Sequence, residues 1–198
     1  MRFSVIVPVH NTPEDLFKKA LESVKNQVFT DYELIVICDN CNNDLVVIAQ
    51  AFTDKIIITD YGCPGLARNA GLEISQGDYI LFLDSDDWWL HEYVFGQIDE
   101  KLRQEKEPDM LCYSFIFKDW MYASPKSNNG NYFPAVWNKC WKRDFIKNLR
   151  FNNQQTGEDF EFLCKAIRKG PKIIDWDMPM YYYNYMRAGS QSDKSRRK

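Results

Sequence analysis

Histidine is nearly absent from this 198-residue chain, with only His10 and His91 present. That scarcity bears on the six cysteines, because a zinc site built on Cys38-Asp39-Asn40-Cys41 would need a second pair or nearby histidines. A redox pair of that spacing should open a helix, whereas this one ends an apolar run. Functional thiol chemistry is therefore set aside. The six cysteines are Cys38, Cys41, Cys63, Cys112, Cys140 and Cys164, and several sit inside apolar segments, as small buried hydrophobes do in a reducing compartment. An excess of one charge is also missing. The net charge of -3 gives no basis for general nucleic-acid binding. No apolar stretch approaches the roughly 20 residues of a membrane span. The opening run, Met1 to Pro8, is too short for a secretory leader and passes into a strand-like pattern. A cytoplasmic location is expected. The basic end over 191–198 reads as a flexible tail, with weak contact at a membrane surface as its alternative.

What is present is enough apolar sequence, 45% of residues, for one sizeable core and a single domain over 1–190. Its first half, 1–87, alternates apolar strands with amphipathic helices. Strands are expected over 3–9, 32–38, 56–59 and 79–83, and helices over 13–27, 45–52 and 65–75. Pro13 opens the first helix, which carries Leu16, Ala20, Leu21 and Val24 on one face. This alternation predicts an α/β fold, a Rossmann-like, mostly parallel central sheet flanked by helices with right-handed crossovers. The second half, 88–190, begins with a helix carrying Leu90, Tyr93, Val94, Ile98 and Leu102, followed by a strand over 110–117. Residues 124–131 are rich in Ser, Asn, Pro, Gly and Lys, so a mobile loop and lid candidate is expected there. The run Tyr181-Tyr182-Tyr183-Asn184-Tyr185 suits an amphipathic edge strand.

The most informative stretch is Tyr79-Ile80-Leu81-Phe82-Leu83-Asp84-Ser85-Asp86-Asp87. A strand covered on both faces explains the apolar run but not the acids that end it. Clustered carboxylates raise one another's pKa unless a cation compensates. Asp-x-Asp in the crevice beyond a strand end suits a hard divalent cation carrying phosphates, with one acid free for a ribose hydroxyl. Three further features fall at strand ends. Pro8, Val9, His10 and Asn11 leave the first strand, and Asp39 ends the second, where it can accept from a base N–H. Pro64-Gly65-Leu66-Ala67-Arg68-Asn69-Ala70-Gly71 precedes the fourth, offering glycines for close approach and a guanidinium fork for phosphate. Singly, each suits a turn, a cap or an exposed helix charge. Their joint placement on successive strand ends points to a nucleotide crevice.

These pieces give the chain a resemblance to family 2 glycosyltransferases of the GT-A fold. The matching segments are Ser4 to Asn11, Leu21 to Gln27, Tyr32 to Val36, Ala67 to Gly71 and Gly77 to Asp87. Later come Val136-Trp137-Asn138-Lys139, Gly157-Glu158-Asp159-Phe160-Glu161-Phe162 and Tyr185 to Ser190. The resemblance implies that Pro8, His10 and Asp39 line the nucleobase pocket and that Arg68 sits by the diphosphate. Val9, Asn11 and Ser85 join that nucleotide-sugar set. Asp84 would hold the ribose side and share with Asp86 a divalent Mn²⁺ or Mg²⁺. Asp159 matches the family's general base, while Lys139, Glu158 and Arg187 are candidate acceptor or phosphate contacts. Lys139 also suits a snorkelling surface lysine. Two positions depart from the family pattern: Cys38-Asp39-Asn40-Cys41 replaces an Asp-Asp-Gly-Ser turn, and His10 stands where Tyr or Phe is usual.

The implied activity is inverting transfer from a UDP-sugar to a hydroxyl of a glycan or lipid-linked acceptor. A sugar-phosphate nucleotidyltransferase would share the metal–nucleotide geometry, but no Gly-rich loop with an early Arg or Lys follows the first strand. A catalytically inactive nucleotide- or glycan-binding module is the remaining alternative.

Overall fold

The computed structural model describes residues 1–118, 120–127 and 129–185. Its first half runs β1 (Phe3–Val9), α1 (Glu14–Lys25), β2 (Tyr32–Asp39), α2 (Asn43–Gln50), β3 (Ile56–Thr59), α3 (Pro64–Ile74) and β4 (Tyr79–Phe82). The second half runs β5 (Trp88–Trp89), α4 (Val94–Gln104), β6 (Met110–Phe117), β7 (Met121–Ala123), β8 (Lys139–Lys142), α5 (Arg143–Ile146), α6 (Glu158–Arg168) and β9 (Ile173–Tyr183). One sheet takes the order β3-β2-β1-β4-β8-β6-β9-β5, with β7 added on β6. Strands β1 to β4 are mutually parallel, as the alternation requires. Beyond β4 the sheet is mixed: β8 enters antiparallel between β4 and β6, and β9 pairs parallel with β6.

The order matters for function. From β1 the chain winds outward through β2 to β3, then returns to place β4 on the other side of β1. That reversal opens a crevice beyond the carboxyl ends of β1 and β4, the place where doubly wound sheets bind ligands. The strands are continuous apolar runs because both their faces are covered: Val5, Ile6, Val7, Ile80, Leu81 and Phe82 are all fully buried. Helix α3 packs on β1 and β2. A Cβ on Gly71 would lie 2.5 Å from Ile6 Cγ2, and one on Gly65 2.9 Å from Phe151 Cβ. The close approach these glycines permit is that of α3 to β1 and to the Phe151 segment.

Several expected bounds shift for reasons of long-range pairing. Trp88 and Trp89 pair antiparallel with Tyr182 and Tyr181, so α4 starts at Val94 and Tyr93 is left exposed. The tyrosine run is no edge: β9 lies between β6 and β5, and Tyr181 is fully buried. The segment after β7 turns back on itself through Ser127 N–H to Asn131 O at 2.9 Å and a Lys126–Tyr132 bridge. No described helix is long and apolar enough to cross a membrane. Arg187 and the basic end lie outside the described residues.

Candidate active site

Where β1 ends, His10 and Asn11 are exposed and Val9 is buried, with Pro8 half-buried in the strand. His10 Nδ1 lies 2.7 Å from Asp39 O and its Nε2 3.0 Å from Asn11 Nδ2, so the imidazole bridges the ends of β1 and β2. The carboxylate of Asp39 turns inward. It accepts from Thr59 Oγ1 at 2.9 Å, Cys63 N–H at 3.1 Å and Gly62 N–H at 3.3 Å, and only 3% of the residue is exposed. Asp39 thus closes the loop between β3 and α3 from the end of β2.

At the end of β4 the four residues Asp84 to Asp87 form a turn, with Asp87 N–H donating to Asp84 O. Ser85 Oγ sits 2.5 Å from Thr12 Oγ1, a bond that ties the exit of β4 to the exit of β1. Asp86 is half-buried. Asp87 is buried and accepts from Tyr181 O–H and Asn184 N–H, both at 2.8 Å. Burial, then the charges of Asp86 and Asp84, holds its carboxyl well above the usual range. Tyr181 also accepts the Asp84 N–H at 3.1 Å, so one phenol on β9 pins the acidic turn.

Arg68 joins this turn to α6. Its Nη2 donates to Asp84 Oδ1 at 2.8 Å, and its Nη1 to Glu158 Oε1 and Asp159 Oδ1, each at 3.0 Å. Burial alone would lower a guanidinium pKa, but Asp159, Asp84 and Glu158 outweigh it and the pKa is raised. The fork expected for a diphosphate is therefore occupied by three acids and is only 4% exposed. Among the described residues Arg68 Nε is a buried donor with no hydrogen-bond partner.

Asp159 is held at both oxygens, Oδ1 by Arg68 and Oδ2 by the Val136 N–H at 3.2 Å. Burial pushes its pKa up to about 6, against the lowering effect of Arg68, with Asp84 and Glu158 adding to the rise. A carboxylate near that value is suited to proton abstraction close to neutrality. Glu158 and Asp159 open α6, where their charge also meets the helix dipole. Lys139 contradicts both earlier readings, phosphate contact and surface snorkel. It is fully buried, and burial lowers its pKa to about 8.

Tyr181, Thr12 and the Val136 amide escaped the sequence reading. The Tyr run and the Val136-Trp137-Asn138-Lys139 segment were visible signals, but neither indicates a hydrogen bond to a particular acid. For a metal, no group of three or more His, Cys, Asp or Glu side chains is assembled among the described residues. Asp84 and Asp86 still fit a hard cation, because such ions are commonly bound through one or two carboxylates with substrate phosphates and water completing the shell.

The sequence profile of glycosyl transferase family 2 matches residues 4–171, from β1 to just beyond α6. The chain belongs to that family. It is 29% identical over 207 residues to the E. coli UDP-Glc:alpha-D-GlcNAc-diphosphoundecaprenol beta-1,3-glucosyltransferase WfaP, covering 96% of this chain and 79% of that protein. It spans only 31% and 33% of two longer relatives, from Streptococcus pneumoniae and Bacillus spizizenii. Among solved structures, S. aureus TarS 1–349 in complex with UDP-GlcNAc superposes with a TM-score of 0.81 at 22% identity, over 98% of this chain and 61% of that one. The mannosyltransferase PcManGT of Pyrobaculum calidifontis, solved with GDP-Man and Mn²⁺, gives 0.76 at 15% identity, over 99% and 60%. At those identities the structural likeness concerns the fold.

Proposed function

We propose that this family 2 glycosyltransferase domain transfers a sugar, with inversion, from a UDP-sugar to a hydroxyl of a glycan or lipid-linked acceptor. The observation that carries the reading is Asp159: a carboxylate with pKa raised to about 6, steadied at both oxygens, on the same guanidinium as the acid at the end of β4. An acceptor hydroxyl is a poor nucleophile. Asp159 takes its proton as attack on the anomeric carbon develops, so no covalent enzyme intermediate is required. The bond to the diphosphate breaks on the opposite face, and inversion follows. Asp86 and Asp84 would hold Mn²⁺ or Mg²⁺, which supplies positive charge to the departing diphosphate when bound. Arg68 keeps the base and the acidic turn in register by charge, since a guanidinium shared among carboxylates fixes their relative placement. His10, Asn11 and Asp39 mark the nucleobase end of the crevice. The free state of all six cysteines fits a reducing, cytoplasmic setting.

A panel of nucleotide sugars with Mn²⁺, read by nucleoside diphosphate release, tests the reading. Acceptor-dependent release of UDP that Asp159→Asn abolishes supports it. Formation of UTP and sugar 1-phosphate from a UDP-sugar when pyrophosphate is added, or binding without any turnover, overturns it in favour of a nucleotidyltransferase or an inactive module.

A further inference from the structure

Lys139 is a fully buried cation that touches no carboxylate by hydrogen bond or ion pair among the described residues. Lysine is almost never fully buried unless paired, because an ammonium loses its hydration on burial. Here the compensation is oxygen dipoles. Its Nζ donates to Ala135 O at 2.6 Å, Asn138 Oδ1 at 2.7 Å and Phe133 O at 2.8 Å, using all three of its hydrogens. The segment it grips, 133–138, is neither helix nor strand, so its carbonyls have no ladder to join. Three more are met from the core: Val136 O by Trp141 Nε1 at 3.0 Å, Trp137 O by the Tyr113 hydroxyl at 2.5 Å, and Asn138 O by Tyr113 N–H at 3.1 Å. With these carbonyls drawn inward, the Val136 N–H is directed outward, onto Asp159 Oδ2. The neighbouring Trp137 ring stacks on Tyr181 at 4.6 Å and 10°, the tyrosine whose hydroxyl holds the acidic turn.

We propose that Lys139 is a positioning residue for the transfer reaction: its ammonium gathers the Phe133 and Ala135 carbonyls and the Asn138 side chain so that the Val136 amide orients the Asp159 carboxylate. This rests on the reading of Asp159 as the base. The residue acts through the backbone, and touches neither donor nor acceptor.

Lys139→Met keeps the apolar stem and removes the three donated bonds. Hydrogen exchange at the Val136 amide should accelerate by at least about 10-fold, with the amides of β1 unchanged. Transfer should slow by about 10–100-fold in kcat, while the Kd for UDP stays within about 2-fold. In an Asp159→Asn background the same substitution should cost less than about 2-fold, since there is no base left to orient. If Lys139→Met does not fold, Lys139→Gln, which can still donate to two of the three oxygens, is expected to give the same pattern at smaller amplitude. Unchanged Val136 exchange overturns the inference. So does a loss of equal size in both backgrounds, which would make Lys139 merely structural while leaving Asp159 as the base. If Asp159→Asn alone transfers at the native rate, the base reading falls and this inference falls with it.

Discussion

Arg68→Met removes one guanidinium and leaves Asp84, Glu158 and Asp159 converging on an apolar side chain. Their side chains are 28%, 9% and 19% exposed, so water cannot fully replace the lost cation. Deleting one partner of a buried pair costs about 3–5 kcal/mol, and partial exposure of Asp84 argues for the lower end. At about 2–4 °C per kcal/mol for a domain of this size, melting should fall by roughly 6–12 °C. The pH dependence carries the sharper test. Asp159 stands at about 6, above its ordinary value, so its charged form is disfavoured in the folded state and stability falls as pH rises through that range. Arg68 lowers that pKa; without it the group moves higher still, and the deficit should widen from pH 5 to pH 8. Calorimetric melts of both proteins at the two pH values decide the matter. A melting change below about 2 °C, or an equal deficit at both pH values, would refute the argument that Arg68 is the compensating cation.

Asp159→Asn should leave UDP affinity nearly unchanged and slow transfer by about 10²–10⁴-fold, measured as acceptor-dependent UDP release. The kcat/KM profile should lose activity below about pH 6 as Asp159 protonates, and Glu158→Gln should move that limb to lower pH, because the Glu158 charge raises the Asp159 pKa. Asp86→Ala should abolish Mn²⁺-dependent enhancement of UDP binding in calorimetry while preserving or raising the melting temperature. The reason is that Asp86 contributes repulsion to the buried Asp87. A lower melting temperature would count against it.

Local pattern was sufficient for the winding of the first half. Continuous apolar runs marked β1 to β4 and the acids that end β4, and Met110–Phe117 was legible to its ends because a buried strand needs no partner information to look apolar. Two short strands of the second half were illegible: Trp88–Trp89 and the Lys-Cys-Trp-Lys of β8 exist because distant strands supply their hydrogen bonds. The same holds for the site. That Asp84, Asp86 and Asp159 are acids at informative places was readable from order and spacing. The sharing of Arg68 by Asp84, Glu158 and Asp159 was not, since that contact joins positions separated by 90 and 91 residues for Glu158 and Asp159. Charge misled at Lys139, where a cation suggests solvent or ligand and the structure buries it completely. Periodicity records which face a residue takes, but the partners that make burying a charge tolerable are gathered only when the chain closes on itself.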